Sequence, residues 1–152
     1  MPELTYIWPT FKINQGTKNL QTESMKTYKK YFKITAQPAD VYNALTNKNM
    51  LEIWTGEDAV MEDVAGSEFS LWEESICGIN LEFEKDHKIV QEWFFGEEDE
   101  DKKSIVTIKL HPDKKGTIME VNQTNIPDEA YRNIAEGWEE DYFNGLNQLF
   151  EP

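Results

Sequence analysis

Two glutamines stand where alternating strands should bury them, and they are the polar side chains of this sequence best placed to act inside a fold. Gln91 lies in Ile89-Val90-Gln91-Glu92-Trp93 and Gln123 in Met119-Glu120-Val121-Asn122-Gln123, each in step with its apolar neighbours. A buried amide left without partners costs about 1–3 kcal/mol. Each must therefore bond to the other or to backbone, or else orient a ligand. Trp54, Trp93, Trp138 and Tyr142 supply the apolar counterpart. Such rings can wall a pocket for an apolar or aromatic small molecule, and they can equally pack as core.

Other chemistries have less to rest on. Cys77 is the single cysteine, and its neighbours Ile76, Gly78 and Ile79 suit a small buried hydrophobe and disfavour a thiolate nucleophile. His87 falls in an expected hairpin turn and His111 at a strand end before Pro112, so neither forms a spaced ligand set with Cys77. No metal is expected. The run Glu97-Glu98-Asp99-Glu100-Asp101 lacks the glycine and alternating oxygen ligands of a calcium loop and reads as a solvated turn. No catalytic residue and no cofactor is assigned.

The 152 residues carry a formal net charge of −14, which repels phosphate backbones and argues against nucleic acid as a partner. Hydrophobic residues at 39% and aromatics at 12% nevertheless supply a sizeable core, so the chain is expected to be globular. A single cysteine permits no internal disulfide, no export signal heads the chain, and no apolar run nears the ~20 residues of a membrane span. The expected setting is the cytoplasm, and the expected state a monomer.

Elements that would position these side chains can be read from periodicity. Residues 1–25 form a poorly ordered extension in this reading, because Tyr6, Ile7, Trp8 and Phe11 keep no period and Pro2, Pro9 and Gly16 interrupt any long element. A true start at Met25 is the alternative to a functional arm. Residues 26–152 read as one domain. Tyr28 to Ile34 alternates as a strand, Pro38-Ala39-Asp40 opens a helix through Leu45, and a second short helix runs from Lys48 to Trp54. Strands are expected near Ala59–Val64, Glu68–Glu73, Cys77–Glu84, Ile89–Phe95, Ile105–His111 and Ile118–Asn125, a meander of about seven strands in all.

From Asp128 to Phe150, Tyr131, Ile134, Ala135, Trp138, Tyr142, Leu146 and Leu149 make one helical stripe. That helix should lie across the sheet. The facing side chains by parity are Phe69 and Leu71; Cys77, Ile79, Leu81 and Phe83; Ile89, Gln91 and Trp93; Val106, Ile108 and Leu110; Met119, Val121 and Gln123. A cavity between sheet and helix would be walled by Phe69, Leu71, Leu81, Trp93, Val121, Trp138 and Tyr142, with Gln91 and Gln123 as polar contacts and entry near Trp54.

The ordered landmarks Gly66-Ser67-Glu68-Phe69-Ser70-Leu71-Trp72, Ile76-Cys77-Gly78, Lys88-Ile89-Val90-Gln91-Glu92-Trp93, Val121-Asn122-Gln123-Thr124-Asn125-Ile126-Pro127-Asp128-Glu129 and Glu136-Gly137-Trp138 carry a resemblance. From about Lys26 to Phe150 the chain resembles the C-terminal domain of the activator of heat-shock protein 90 ATPase, in the START-like (SRPBCC, Bet v-like) superfamily. The resemblance implies an α+β helix-grip fold, a curved antiparallel sheet wrapped around a long C-terminal helix. Where that co-chaperone pattern has an aspartate and a glycine after its Phe-x-Leu-Phe, this chain has Glu73-Glu74, and the basic residue after the Gln-x-Trp tryptophan is Phe94. The N-terminal co-chaperone domain, which carries the main ATPase-stimulating contacts, is expected to be absent.

The leading expectation is a non-enzymatic domain that encloses a small hydrophobic ligand or serves as a stress-related accessory module. Its rival is a co-chaperone-like protein that binds heat-shock protein 90 through its surface. An enzyme of the cyclase or hydrolase type is the distant third.

Overall fold

A computed structural model describes residues 25–95 and 103–151. The expected N-terminal extension before Met25 and the acidic run 97–101 lie outside the described residues. Strand β1 (Met25–Ile34) leads into helix α1 (Pro38–Thr46), which Pro38 opens, and helix α2 (Lys48–Thr55), where the Asn47 side chain accepts the Met50 N–H at 3.0 Å. Five strands follow: β2 (Glu68–Leu71), β3 (Ile76–Glu84), β4 (Lys88–Trp93), β5 (Ser104–Asp113) and β6 (Gly116–Pro127). They form one antiparallel sheet in the order β1-β6-β5-β4-β3-β2. The expected α+β architecture is present.

Among the described residues the sheet has six strands rather than about seven. Ala59–Val64 does not form a strand, and only Val60 makes a bridge, to Ser70. The segment is held from elsewhere: the Glu52 carboxylate takes the Ala59 N–H at 3.0 Å, and Asn80 donates to the Glu62 carbonyl. Val60 and Val64 consequently stay exposed.

Parity on β3 is also corrected. Ile76, Gly78 and Asn80 point inward, while Cys77 and Ile79 lie on the outer face and Leu81 is exposed. An irregularity between Asn80 and Glu82 then shifts the register, so that Phe83 pairs with Ile89 and returns to the core side. Gly78 is required where it stands, since a side chain there would run into the Glu92 carbonyl. The remaining face assignments hold: Phe69, Leu71, Ile89, Gln91, Trp93, Val106, Ile108, Leu110, Met119, Val121 and Gln123 are all buried.

The C-terminal helix runs as α3 (Asp128–Glu136), a π-helical stretch Gly137–Phe143 and α4 (Asn144–Phe150). Ile134, Trp138, Tyr142 and Leu146 are buried at four-residue steps. At 3.6 residues per turn, each such step would rotate the stripe by about 40°. The wider i→i+5 turn cancels that drift and keeps the four side chains over the sheet.

Between β2 and β3, Trp72, Glu73 and Glu74 take φ of 52, 55 and 72° in succession, and the Ser75 N–H closes on the Trp72 carbonyl at 3.0 Å. Non-glycine residues in the left-handed region are strained by roughly 1–2 kcal/mol each.

Candidate functional site

The interior between sheet and helix is organised around two amide–indole pairs. Gln91 and Gln123 face inward from β4 and β6 because both strands alternate without interruption there. The Trp93 indole N–H donates to Gln91 Oε1 at 3.0 Å, and the Trp138 indole N–H donates to Gln123 Oε1 at 2.8 Å. The two indoles stack, with centroids 5.2 Å apart and planes 16° from parallel. One amide–indole pair therefore lies against the other across the sheet–helix boundary.

Each amide nitrogen is also engaged. Gln91 Nε2 donates to Asn80 Oδ1 at 2.9 Å, and Gln123 Nε2 donates to Ser104 Oγ at 3.0 Å. Ser104 Oγ passes its own hydrogen to the Thr124 carbonyl at 2.7 Å. Asn80 donates to Ser67 Oγ, the Glu62 carbonyl and the Met61 sulfur. Among the described residues the glutamine side chains thus bond neither to each other nor to backbone; each joins an indole to a second polar side chain.

Asn80 and Ser104 are both fully buried, and neither was anticipated as part of this arrangement. For Asn80 a signal existed, a lone amide within the otherwise apolar stretch Ile76–Leu81, but the alternation of Cys77, Ile79, Leu81 and Phe83 concealed it. Ser104 lies one residue before the expected strand start at Ile105, yet it keeps the inward parity of Val106, Ile108 and Leu110, so extending that alternation by one residue would have found it.

Rings fill the next layer. Tyr142 lies 4.4 Å from Trp138 and 5.1 Å from Trp54, and Trp72 completes the group at 6.0 Å from Trp54 and 6.3 Å from Tyr142. The Trp54 indole donates to the Ala44 carbonyl at 3.0 Å and that of Trp72 to the Thr55 carbonyl at 3.2 Å. Helix α4 approaches closely here, since a Cβ on Gly145 would lie 3.0 Å from the Trp54 ring. Burial pushes the Tyr142 phenol well above its ordinary pKa and keeps it neutral.

Of the expected lining residues, Phe69, Leu71, Gln91, Trp93, Val121, Gln123, Trp138 and Tyr142 come together in this interior, with Trp54 at its α2 end. Leu81 does not; it lies in the β3 irregularity and is 39% exposed. Among the described residues no group of three or more His, Cys, Asp or Glu side chains could hold a metal ion. No helix there is long and apolar enough to cross a membrane.

A family profile described as "Activator of Hsp90 ATPase homolog 1-like protein" matches residues 35–151. The chain belongs to this family. It is 31% identical over 135 residues to an activator of 90 kDa heat shock protein ATPase homolog from Dictyostelium discoideum, covering 88% of this chain and 34% of that protein. The human homolog 1 is 22% identical over 113 residues, covering 74% of this chain and 33% of the human protein. The chain thus spans about a third of the length of these relatives.

Solved structures agree on the fold. An HSP90 activator from Plasmodium falciparum superposes with a TM-score of 0.70 at 24% identity, covering 82% of this chain and 94% of that one. A Mesorhizobium loti protein gives 0.71 at 24% identity, covering 82% and 96%.

Proposed function

We propose that this chain is a non-enzymatic, protein-binding accessory domain that engages an Hsp90-type chaperone through its surface. The observation that carries the reading is the saturation of the interior: both Gln91 and Gln123 have their oxygen and their nitrogen bonded to side chains of the chain itself. Amides bonded in this way hold indoles in register and are not left to orient a guest. The family relation supports the choice of partner, since its named relatives are activators of that ATPase. In this reading these 152 residues bind the chaperone and by themselves raise its ATP turnover only weakly.

The test is a titration of the chaperone with this protein, followed by binding and by ATP turnover. Saturable binding with little stimulation is the expected result. A parallel titration with fatty acids, sterols and flat aromatic compounds, read by tryptophan fluorescence, should leave the Trp93–Trp138 stack unperturbed. A saturable fluorescence change there, with no chaperone binding, would replace this reading with that of a hydrophobic-ligand carrier.

A further inference from the structure

The sheet face turned away from the helix is sharply divided in charge. Register places Lys29, Tyr31 and Lys33 of β1 beside Asn122, Glu120 and Ile118 of β6, and these beside Thr107, Lys109 and His111 of β5. Two residues along a strand span about 6.8 Å and neighbouring strands lie about 4.8 Å apart, so the block measures roughly 10 by 14 Å. Its only carboxylate, Glu120, is at the centre, 2.8 Å from His111 Nε2 and 3.7 Å from Lys29 Nζ. Neither Lys33 nor Lys109 is held in an ion pair among the described residues. Tyr31 is 55% exposed, with Lys29 Nζ 5.7 Å from its ring centroid. Across β4 the sign reverses, where Glu82 and Glu84 neutralise Lys88 at 3.1 and 3.5 Å.

Lysines on an edge strand can simply discourage strand pairing between copies. That account covers Lys29 and Lys33 on β1. It does not cover Lys109 and His111, which lie two strands inside the edge, or an exposed tyrosine between the two edge lysines. In a chain of net charge −14, a patch where three lysines face one carboxylate is selective for one kind of neighbour.

We infer that the Lys29, Tyr31, Lys33, Lys109 and His111 face docks an acidic, extended polypeptide segment of a partner protein. Lys29 and Lys33 lie four residues apart, about 14 Å, with Tyr31 between them. An extended segment with acidic residues at the same spacing and an apolar or aromatic residue between them would meet all three. Densely charged phosphate polymers fit worse, because the block is small, its centre is a carboxylate and the surrounding protein repels polyanions. This inference rests on the reading of the chain as a surface-binding domain and specifies which surface and which partner chemistry.

The experiment measures fluorescence anisotropy of a labelled decapeptide, two repeats of Glu-Ser-Tyr-Ser-Glu, at low salt. Wild type is compared with Lys29→Glu/Lys33→Glu/Lys109→Glu and with a control of equal charge change, Lys48→Glu/Lys85→Glu/Lys103→Glu. Affinity should fall at least about tenfold in the first variant and less than about threefold in the control, since close charge pairs outweigh a change in overall charge. Equal losses in the two triples, no binding by wild type, or tighter binding of duplex DNA or anionic vesicles than of peptide would overturn the inference. Urea midpoints verify folding, and Lys29→Gln/Lys33→Gln/Lys109→Gln repeats the comparison without reversed charge.

Both triples are also titrated against the chaperone. Loss confined to the face triple supports both proposals, and unchanged chaperone binding overturns this face while leaving the accessory role intact. Peptide binding at the face without chaperone binding by wild type overturns the chaperone role and leaves the acidic-segment face standing.

Discussion

The interior and the outer face of the same sheet treat polar groups in opposite ways. Inside, Gln91 and Gln123 have both ends bonded at 2.8–3.0 Å to partners fixed by packing. Outside, on the β1–β6–β5 block, cations outnumber the single carboxylate that could answer them. A polar group bonded inside a low-dielectric interior specifies one packing, and losing its partner is costly. A solvated charge without a partner costs almost nothing and remains available to another molecule. The difference is one of commitment: the amides inside are tied to a single packing, whereas Lys33 and Lys109 outside are in no ion pair among the described residues.

The largest expected effect breaks the interior directly. Trp138 is fully buried, stacks on Trp93 and bonds to Gln123, so Trp138→Ala should destabilise the fold by about 3–5 kcal/mol. Urea denaturation provides the check. An unchanged midpoint would mean that the interior is not organised around this ring.

Next in size is the coupling between amide and indole. Gln123→Leu strands the Trp138 N–H and should cost about 1–3 kcal/mol, and Trp138→Phe strands the Gln123 oxygen in turn. Removing both polar ends together should cost less than the sum of the two single changes, by about 0.5–3 kcal/mol. Strict additivity in the double-mutant cycle would show that the bond contributes no specificity.

How much of this was legible follows from where each signal lies. The helix stripe from Tyr131 to Leu149 and the alternation on β4, β5 and β6 depend only on local periodicity, and they placed Gln91, Gln123, Trp93 and Trp138 in one interior. Asn80 and Leu81 were misplaced because the β3 irregularity reverses parity at a single point, and nothing local marks it except Gly78 and a buried amide. The π-helical stretch 137–143 was invisible for a different reason: i,i+4 spacing is shared by both helix types, and only the continued burial of Leu146 separates them. The charged block depends on register across three strands. Sequence spacing shows that Lys29, Lys109 and Glu120 exist, and pairing alone brings them together.

A smaller effect sharpens the contrast at the β2–β3 turn. Glu74 has φ of 72°, and glycine adopts that conformation without the Cβ clash. Glu74→Gly should therefore stabilise by about 0.5–1 kcal/mol, the relief of strain being partly offset by the greater freedom of an unfolded glycine. Thermal melting would show a small upward shift. A downward shift would mean that the left-handed run carries no strain to be relieved.

The smallest effect tests the one carboxylate on the basic block. The bond with His111, followed by the nearby charges of Lys29 and Lys109, holds the Glu120 carboxyl below its ordinary pKa of 4.5. A carboxyl whose pKa is lower folded than unfolded stabilises the protein fully above the unfolded value, and loses that contribution as pH falls through the folded one. Glu120→Gln removes this term, so the difference in stability between wild type and variant should be constant near neutrality and vanish in acid. The site is close to solvent, so screening limits the difference to about 0.2–1 kcal/mol. The same change should strengthen binding of the acidic peptide, because the block loses its only negative charge. Stability that diverges further as the pH falls below 4.5, or peptide binding that weakens in the variant, would show that Glu120 is part of the docking contact and not the charge opposing it.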